Sequence, residues 1–384
     1  MLLSPRLVGF PRVVAAALAF GLACGTLAHA QKPAAKADQK DQKPDPAAQA
    51  KAQAEQQEIQ ALVRVADAAM SGQSAPTDFP IQFQNDFLKA QGSRVWVPII
   101  LTLDPAKTPS GALTLYLRVT PRGMTAPPAA APAPAADKDK KDNKDKKAAP
   151  AAAPAAPNYP YEDVSFLDLK PAAPGQPLRI QRGIGIPSGS YDLFIVLHER
   201  PAAAAAPAAA ATPGKTAVLK QPLDVPSYGA GEFSTSTVIL AERVDQLPAP
   251  ITPDAQSEHP YAFGQTEIVV SPDHKFKKTQ ELIVLLQIYN PMVTPEKKFN
   301  LEATYTFYKQ EAGTEKRFNS TEPQTFSSES MGASFDPSGS SSIQAGQGVP
   351  LQSFPDGSYR LEIKIADKLS SKVLTQNVNF TVTP

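Results

Sequence analysis

The sequence predicts an all-β protein of two antiparallel β-sandwiches in tandem, and three observations carry that prediction. Apolar residues alternate with period two through most of the chain, as at Val95, Val97, Ile99, Leu101 and Leu103. The alternating segments are short and are separated by Gly, Pro, Asn, Asp and Ser, the spacing of hairpin-linked strands. A stretch Pro-x-Gly-Ser-Tyr-x-Leu-x-Ile occurs once in each half, at 187–195 and 355–363.

The chain has 384 residues. Its first thirty read as a signal peptide cleaved after Ala30. Arg6 and Arg12 precede an apolar run from Val13 to Cys24, and Ala28-His29-Ala30 supplies the small residues of a cleavage site. Secretion or a periplasmic location follows. The alternative is a lipid anchor at Cys24, behind Gly21-Leu22-Ala23. Cys24 is the single cysteine, so a chain cut after Ala30 has neither disulfides nor thiolate chemistry. Lys and Arg number 38 against 37 Asp and Glu, a balance that offers no electrostatic footprint for nucleic acid. No later segment has the roughly 20 apolar residues of a spanning helix, so no transmembrane helix is expected in the mature chain.

Residues 31–54 are Lys, Ala, Gln, Pro and Asp, too apolar-poor to fold, and read as a disordered tether. Residues 55–70 place Ile59, Leu62, Val63, Ala66 and Met70 on one stripe, a short amphipathic helix. It either packs on the first domain or meets a partner or membrane surface. The first sandwich spans 77–245, with strands at 95–103, 112–120, 162–170, 189–198, 217–225 and 236–241. Two low-complexity Ala/Pro segments, 124–158 and 201–213, are loops extruded from it. The second sandwich spans 258–384, with strands at 265–270, 281–289, 299–308, 316–319, 349–354, 357–366 and 373–382.

In the repeated stretch, Gly189 and Gly357 sit in the turn, and Tyr191 and Tyr359 enter the strand directly after it. Leu193 and Leu361 follow two residues later. Immunoglobulin domains place a corner tyrosine two residues before a core cysteine, so leucine takes that place here. The two domains are thus expected to be immunoglobulin-like and stabilised by packing alone. L-T-Q-N-V-N-F (374–380) lines up with L-K-Q-P-L-D-V (219–225) as a closing strand, which suggests one domain type used twice. The copies differ on their second face. Phe194 and Val196 stand where the other copy has Glu362 and Lys364, so this face of the first domain should be covered. With Trp96, the sole tryptophan, they form the candidate contact surface.

No constellation of catalytic residues is visible. His198, His259 and His274 are not at metal-ligand spacing from one another. There is no G-x-S-x-G elbow and no P-loop. G-I-G-I-P-S-G (183–189) leads into a strand, not a helix. The Asp/Lys run near 137–147 alternates charge and lacks the glycine of a calcium loop. Basic-aromatic clusters at 274–278, 295–299 and 315–318 read first as lysines guarding apolar strands. No enzyme activity, cofactor or metal is expected.

The segments 223–241 and 354–368 resemble the C-terminal β-sandwich modules of bacterial secreted proteins that accompany GWxTD-containing and VWFA-related proteins. There, a G-x-Y-x-L strand, a V-P-x-[FY] segment and an S-x-x-x-L-A strand recur. The chain lacks G-W-x-T-D and D-x-S-x-S, so the resemblance implies export and architecture without an activity. The function expected is that of an exported, non-catalytic binding or assembly protein of the bacterial envelope, with an envelope or extracellular protein as partner. The alternative is an accessory polysaccharide-binding protein using Tyr289, Tyr305 or Tyr308.

Overall fold

A computed structural model of the chain describes residues 46–384 apart from 109–111, 127–157, 171–175, 201–213, 230, 312, 333–334 and 336–341. The signal peptide, Cys24, residues 31–45 and nearly all of both Ala/Pro segments lie outside the described residues. The described chain is all-β apart from two helices. In order it runs α1 (Pro46–Met70), β1 (Ile81–Asn85), β2 (Leu88–Lys89), β3 (Arg94–Leu103), β4 (Ala112–Pro121), β5 (Tyr161–Asp168), β6 (Leu178–Pro187), β7 (Gly189–Glu199) and β8 (Thr216–Val225). Then come β9 (Ser234–Thr235), β10 (Ile239–Gln246), β11 (Ala262–Phe263), β12 (Thr266–Val270), β13 (Lys275–Lys277), β14 (Glu281–Tyr289) and β15 (Asn300–Glu311). The last elements are β16 (Thr314–Ser320), β17 (Gln324–Ser327), α2 (Ser328–Met331), β18 (Ile343–Pro350), β19 (Gly357–Asp367) and β20 (Val373–Thr383).

These elements divide into two compact units. The first holds 46–87 and 93–227, and the second holds 88–92 and 228–384. In the first unit β5, β4, β7 and β8 form one sheet in that order, and β3 lies between β1 and β6 in another. In the second unit one sheet runs β11-β12-β10-β14-β18, with β9 also on β14. The other runs β13-β20-β19-β15-β16, with β17 also on β15. Of the pairings just given, only that of β13 with β20 is parallel. The order β5-β4-β7-β8 recurs as β16-β15-β19-β20, and the β3–β6 pair recurs as β14–β18.

The second unit has one core fed by both of its sheets. Leu282, Val284, Leu286 and Ile288 of β14 meet Leu301, Ala303, Tyr305 and Phe307 of β15, with Tyr359, Leu361, Ile363 and Ile365 of β19. Each strand contributes alternate residues, as a pleated strand with one buried face must.

Several expectations shift. The helix begins at Pro46, not 55, because residues 46–54 are Ala- and Gln-rich helix formers that carry no apolar stripe. Part of the expected tether is therefore helical. The boundary between units falls at 227/228, not near 245. The strand read at 236–241 is β10, which pairs with β12 and β14 and so belongs to the second unit. Alternation identifies a strand but not the sheet it joins. β6 escaped the period-two reading because Arg179, Gln181, Arg182 and two glycines dilute it. The last strand before the second motif covers 343–350 rather than 349–354. The closing strands also pair two residues away from the sequence alignment: Gly189 faces Val225, while Gly357 faces Val382. A shift of two leaves every side chain on its own face, which is why the sequence could not detect it.

Candidate contact surfaces

The two copies of the motif build the same corner. Gly189 has φ of 150° and Gly357 has φ of 138°, a region that side-chain-bearing residues avoid. A Cβ at Gly189 would also stand 3.0 Å from the Tyr191 hydroxyl. Each tyrosine reaches back to its own turn. Tyr191 donates to the Ser188 carbonyl at 3.4 Å, and Tyr359 donates to the Pro355 carbonyl at 2.5 Å. Tyr359 stacks on Phe380 at 5.3 Å and meets Phe354 and Phe318 edge-on. Burial, reinforced by Asp356 and Glu311, pushes its phenol up to about 12. Leu193 and Leu361 are buried below. In both units these tyrosines face core and turn rather than solvent.

The second face of β7 is covered from within the first unit. Asp192 is buried, 3.0 Å from the Lys220 ammonium, and accepts from the Gly123 N–H at 3.3 Å. The same ammonium lies 5.4 Å from the Phe194 ring centre. Val196 packs with Leu62 and Ala66 of α1 and with Tyr116 of β4; Val63, Val65, Val164 and Val218 surround this cluster. Polar contacts fasten the helix there. Arg118 of β4 is buried and pairs with Asp67 of α1 on one side. On the other side it donates to Glu162 of β5 at 2.8 and 3.1 Å. Tyr116 also donates to Glu162, Thr114 donates to Glu58 of α1, and the guanidinium lies over the Tyr159 ring at 4.3 Å. Burial alone would lower the Arg118 pKa, but its hydrogen bond to Asp67 and its pairing with Tyr116 and Glu162 raise it overall. Burial acts the other way on the Tyr116 phenol and, with the hydrogen bond to Glu162, raises its pKa.

Trp96 lies flat on β6, since a Cβ at Gly183 would fall 2.0 Å from its ring. That contact explains the spaced glycines of 183–189 without any ligand. Phe194, Val196 and Trp96 are all buried, so the contact surface the sequence nominated is closed within the described residues.

Two of the three tyrosines nominated for sugar stacking, Tyr289 and Tyr305, are fully buried. Tyr308 is half-buried under the Arg360 guanidinium at 4.3 Å. Three cations of the basic clusters are held in ion pairs. Lys278 meets Asp356 at 2.8 Å, Lys316 meets Glu311 at 3.2 Å, and Lys275 meets Asp273 at 3.7 Å. The histidines are dispersed: His198 contacts Thr216, His259 contacts Glu267, and His274 contacts the Asn379 carbonyl. Among the described residues no three His, Cys, Asp or Glu side chains gather as a metal site.

The surface feature that sequence reading missed lies at one end of the second unit. Three loops, 228–233, 290–293 and 367–372, border an open cleft of about 510 Å³. Their geometry is held from below. Asp367 is buried and accepts from the Met292 N–H at 2.8 Å, the Leu369 N–H at 3.0 Å and the Ser370 hydroxyl at 2.7 Å. Asn290, at φ of 51°, donates to the carbonyls of Gly229 at 2.9 Å and Glu232 at 2.8 Å. Beneath them the Tyr289 hydroxyl donates to Gln287 at 2.7 Å and accepts from the Lys89 N–H at 2.9 Å. Burial lowers the pKa of the Lys89 ammonium beside it. Phe233, Met292 and Val293 give the cleft apolar walls; Asp367, Ser370 and Lys372 add polar ones. Met292 is 50% exposed, and Leu369 and Val373, next to the lining residues in the chain, are exposed too. Only the unusual exposure of three large apolar side chains, two in loops and one at the start of β20, marks the place, and a sequence does not display exposure.

Comparison with known proteins assigns no family. No protein-family model matches the chain, and no curated protein matches it. A transglutaminase of red sea bream is similar to it at 9% identity and a TM-score of 0.19. The match covers 83% of this chain and 33% of that one. The chain therefore spans about a third of that protein's length, and a score this low carries no argument about fold or activity. Among the described residues no helix is long and apolar enough to cross a membrane.

Proposed function

We propose that the protein is an exported, non-catalytic binding module of the bacterial envelope that holds another protein at the loop end of its second unit. The observation that carries this reading is the cleft bordered by Met292, with Leu369 and Val373 exposed beside it. Rigidly based loops that present apolar side chains to solvent are the usual form of a recognition surface. The deep polar groups support the same reading. Asp367, Arg118, Tyr289 and the corner tyrosines spend their hydrogen bonds on joining elements of the scaffold. The recurrent strand order and the paired tyrosine corners support a duplicated, immunoglobulin-like domain as that scaffold. The burial of Tyr289 and Tyr305 leaves the polysaccharide reading only the half-buried Tyr308 of its three stacking tyrosines.

The test is affinity capture from solubilised envelopes with the wild-type chain and with a Met292→Asp/Leu369→Asp variant of unchanged melting temperature. The wild type should retain a partner that the variant releases. Equal capture by both proteins would sink the proposal.

A further inference from the structure

The sulfur of the chain lies in one cysteine and five methionines. Cys24 and Met1 fall outside the described residues. The fold treats the other four methionines differently. Met70 is buried at the end of α1, and its sulfur accepts from the Arg118 guanidinium at 3.3 Å. Met124 and Met331 are half-buried, and Met331 packs against the core of the second unit. Met292 is the exposed one, and it lines the cleft.

A thioether is oxidised through a lone pair on its sulfur, so access to the sulfur decides which methionine reacts first. At Met70 the sulfur is shielded and turned to a cation. Met292 is half open to solvent, and the surrounding chain holds it there. Its N–H is bound by the Asp367 carboxylate at 2.8 Å, Pro291 before it is buried, and Asn290 ties the neighbouring loop to the same base. A change at this sulfur is therefore delivered to the cleft rather than lost by movement of the loop. The change is also one of kind. A sulfoxide is polar where the thioether was apolar, and an apolar partner surface offers its oxygen no donor. Phe233 and Val293, the other apolar walls, carry no sulfur and stay as they are.

We infer that Met292 is a reversible modification site for hydrogen peroxide, and that its sulfoxide releases the partner from the cleft. The inference rests on the cleft as the binding surface. In the forward step the sulfur gives two electrons to the peroxide. The O–O bond breaks, one oxygen forms the S–O bond, and the other leaves with both protons as water. In the reverse step a methionine sulfoxide reductase removes the oxygen as water while two of its thiols become a disulfide. Binding thereby becomes sensitive to the peroxide level around the protein.

The experiment treats the full chain with hydrogen peroxide, removes the excess with catalase and divides the sample. One part is digested for peptide mass mapping over a time course. The Met292 peptide should gain one oxygen before those of Met70, Met124 and Met331. The other part goes to affinity capture from solubilised envelopes. There the oxidised chain should fall to the capture level of Met292→Asp/Leu369→Asp, at unchanged melting temperature. Methionine sulfoxide reductases with dithiothreitol should restore capture. Met124→Leu/Met331→Leu removes the two half-buried sulfurs and should keep both capture and its loss under peroxide. Oxidation of another methionine ahead of Met292 overturns the inference. So does full capture by chain oxidised at Met292, or a Met124→Leu/Met331→Leu protein whose capture resists peroxide. Equal capture by the untreated wild type and untreated Met292→Asp/Leu369→Asp sinks the cleft reading and this inference with it, so the two failures are told apart.

Discussion

Tyr359 combines three constraints in one residue: a buried ring, a hydroxyl bound to the Pro355 carbonyl, and a strand entry that Gly357 alone makes accessible. Replacing it with phenylalanine removes one hydrogen bond and should cost about 0.5–1.5 kcal/mol in denaturant titrations. Gly357→Ala forces a side chain into a region reserved for glycine and should cost about 1–3 kcal/mol. The phenol also predicts a pH dependence. Its ordinary value is 10.0 and the fold pushes it up to about 12, so the folded state favours the neutral form. That stabilisation is complete below pH 10 and is lost as pH rises through about 12. Alkaline melting curves should therefore fall less steeply across this window in Tyr359→Phe than in the wild type. The tyrosine corner was legible in the sequence, because a turn, an aromatic residue and a period-two strand are all local. The carbonyl each tyrosine chooses was not, and the two copies differ there by one residue, Ser188 against Pro355.

At the scale of the element, α1 shows what pattern reading can and cannot reach. The stripe of Leu62, Ala66 and Met70 is a sequence feature, and all three are buried. The polar fastening to Arg118 is not, since Asp67 and Glu162 lie far from it in the chain. A signal was nevertheless present. Thr114, Tyr116 and Arg118 share one face of an otherwise apolar strand, and such a face needs a polar partner. Arg118→Met should destabilise the first unit by about 1.5–3 kcal/mol, the range for hydrogen bonds to charged groups. Val196→Asp should cost roughly 3–5 kcal/mol, as for a buried unpaired charge. Hydrogen exchange should then speed up in α1 ahead of β19. Unchanged exchange in the helix would refute its role as the cover of that face.

For the whole molecule, two compact units with separate cores imply two separable melting events. Arg118→Met should lower one transition in differential scanning calorimetry and leave the other in place. Asp367→Ala, which frees the 290–293 loop from the 367–372 turn, should lower the other. A single transition displaced by both changes would contradict independent units. The all-β class was legible because period-two alternation persists along the chain. The unit boundary was not, because β10 reads equally well as the last strand of one domain or an early strand of the next. Strand adjacency is decided by contacts distant in sequence, which a periodicity cannot encode. The same holds for the cleft, whose three loops are brought together by Asp367 and Asn290.

The 25 residues of α1 extend about 37 Å at 1.5 Å per residue. Among the described residues its anchors begin at Glu58 and Leu62, and Gln49–Ala54 are exposed. The first dozen residues therefore form a cantilever about 18 Å long. A sideways load at its N-terminal end acts with leverage on the Glu58–Thr114 bond first. A pull along the axis is instead shared in shear by every anchor down to Asp67. The direction of tension at residue 46 thus decides whether the helix peels from the β7 face or holds, and single-molecule pulling in the two geometries should give a low and a high rupture force.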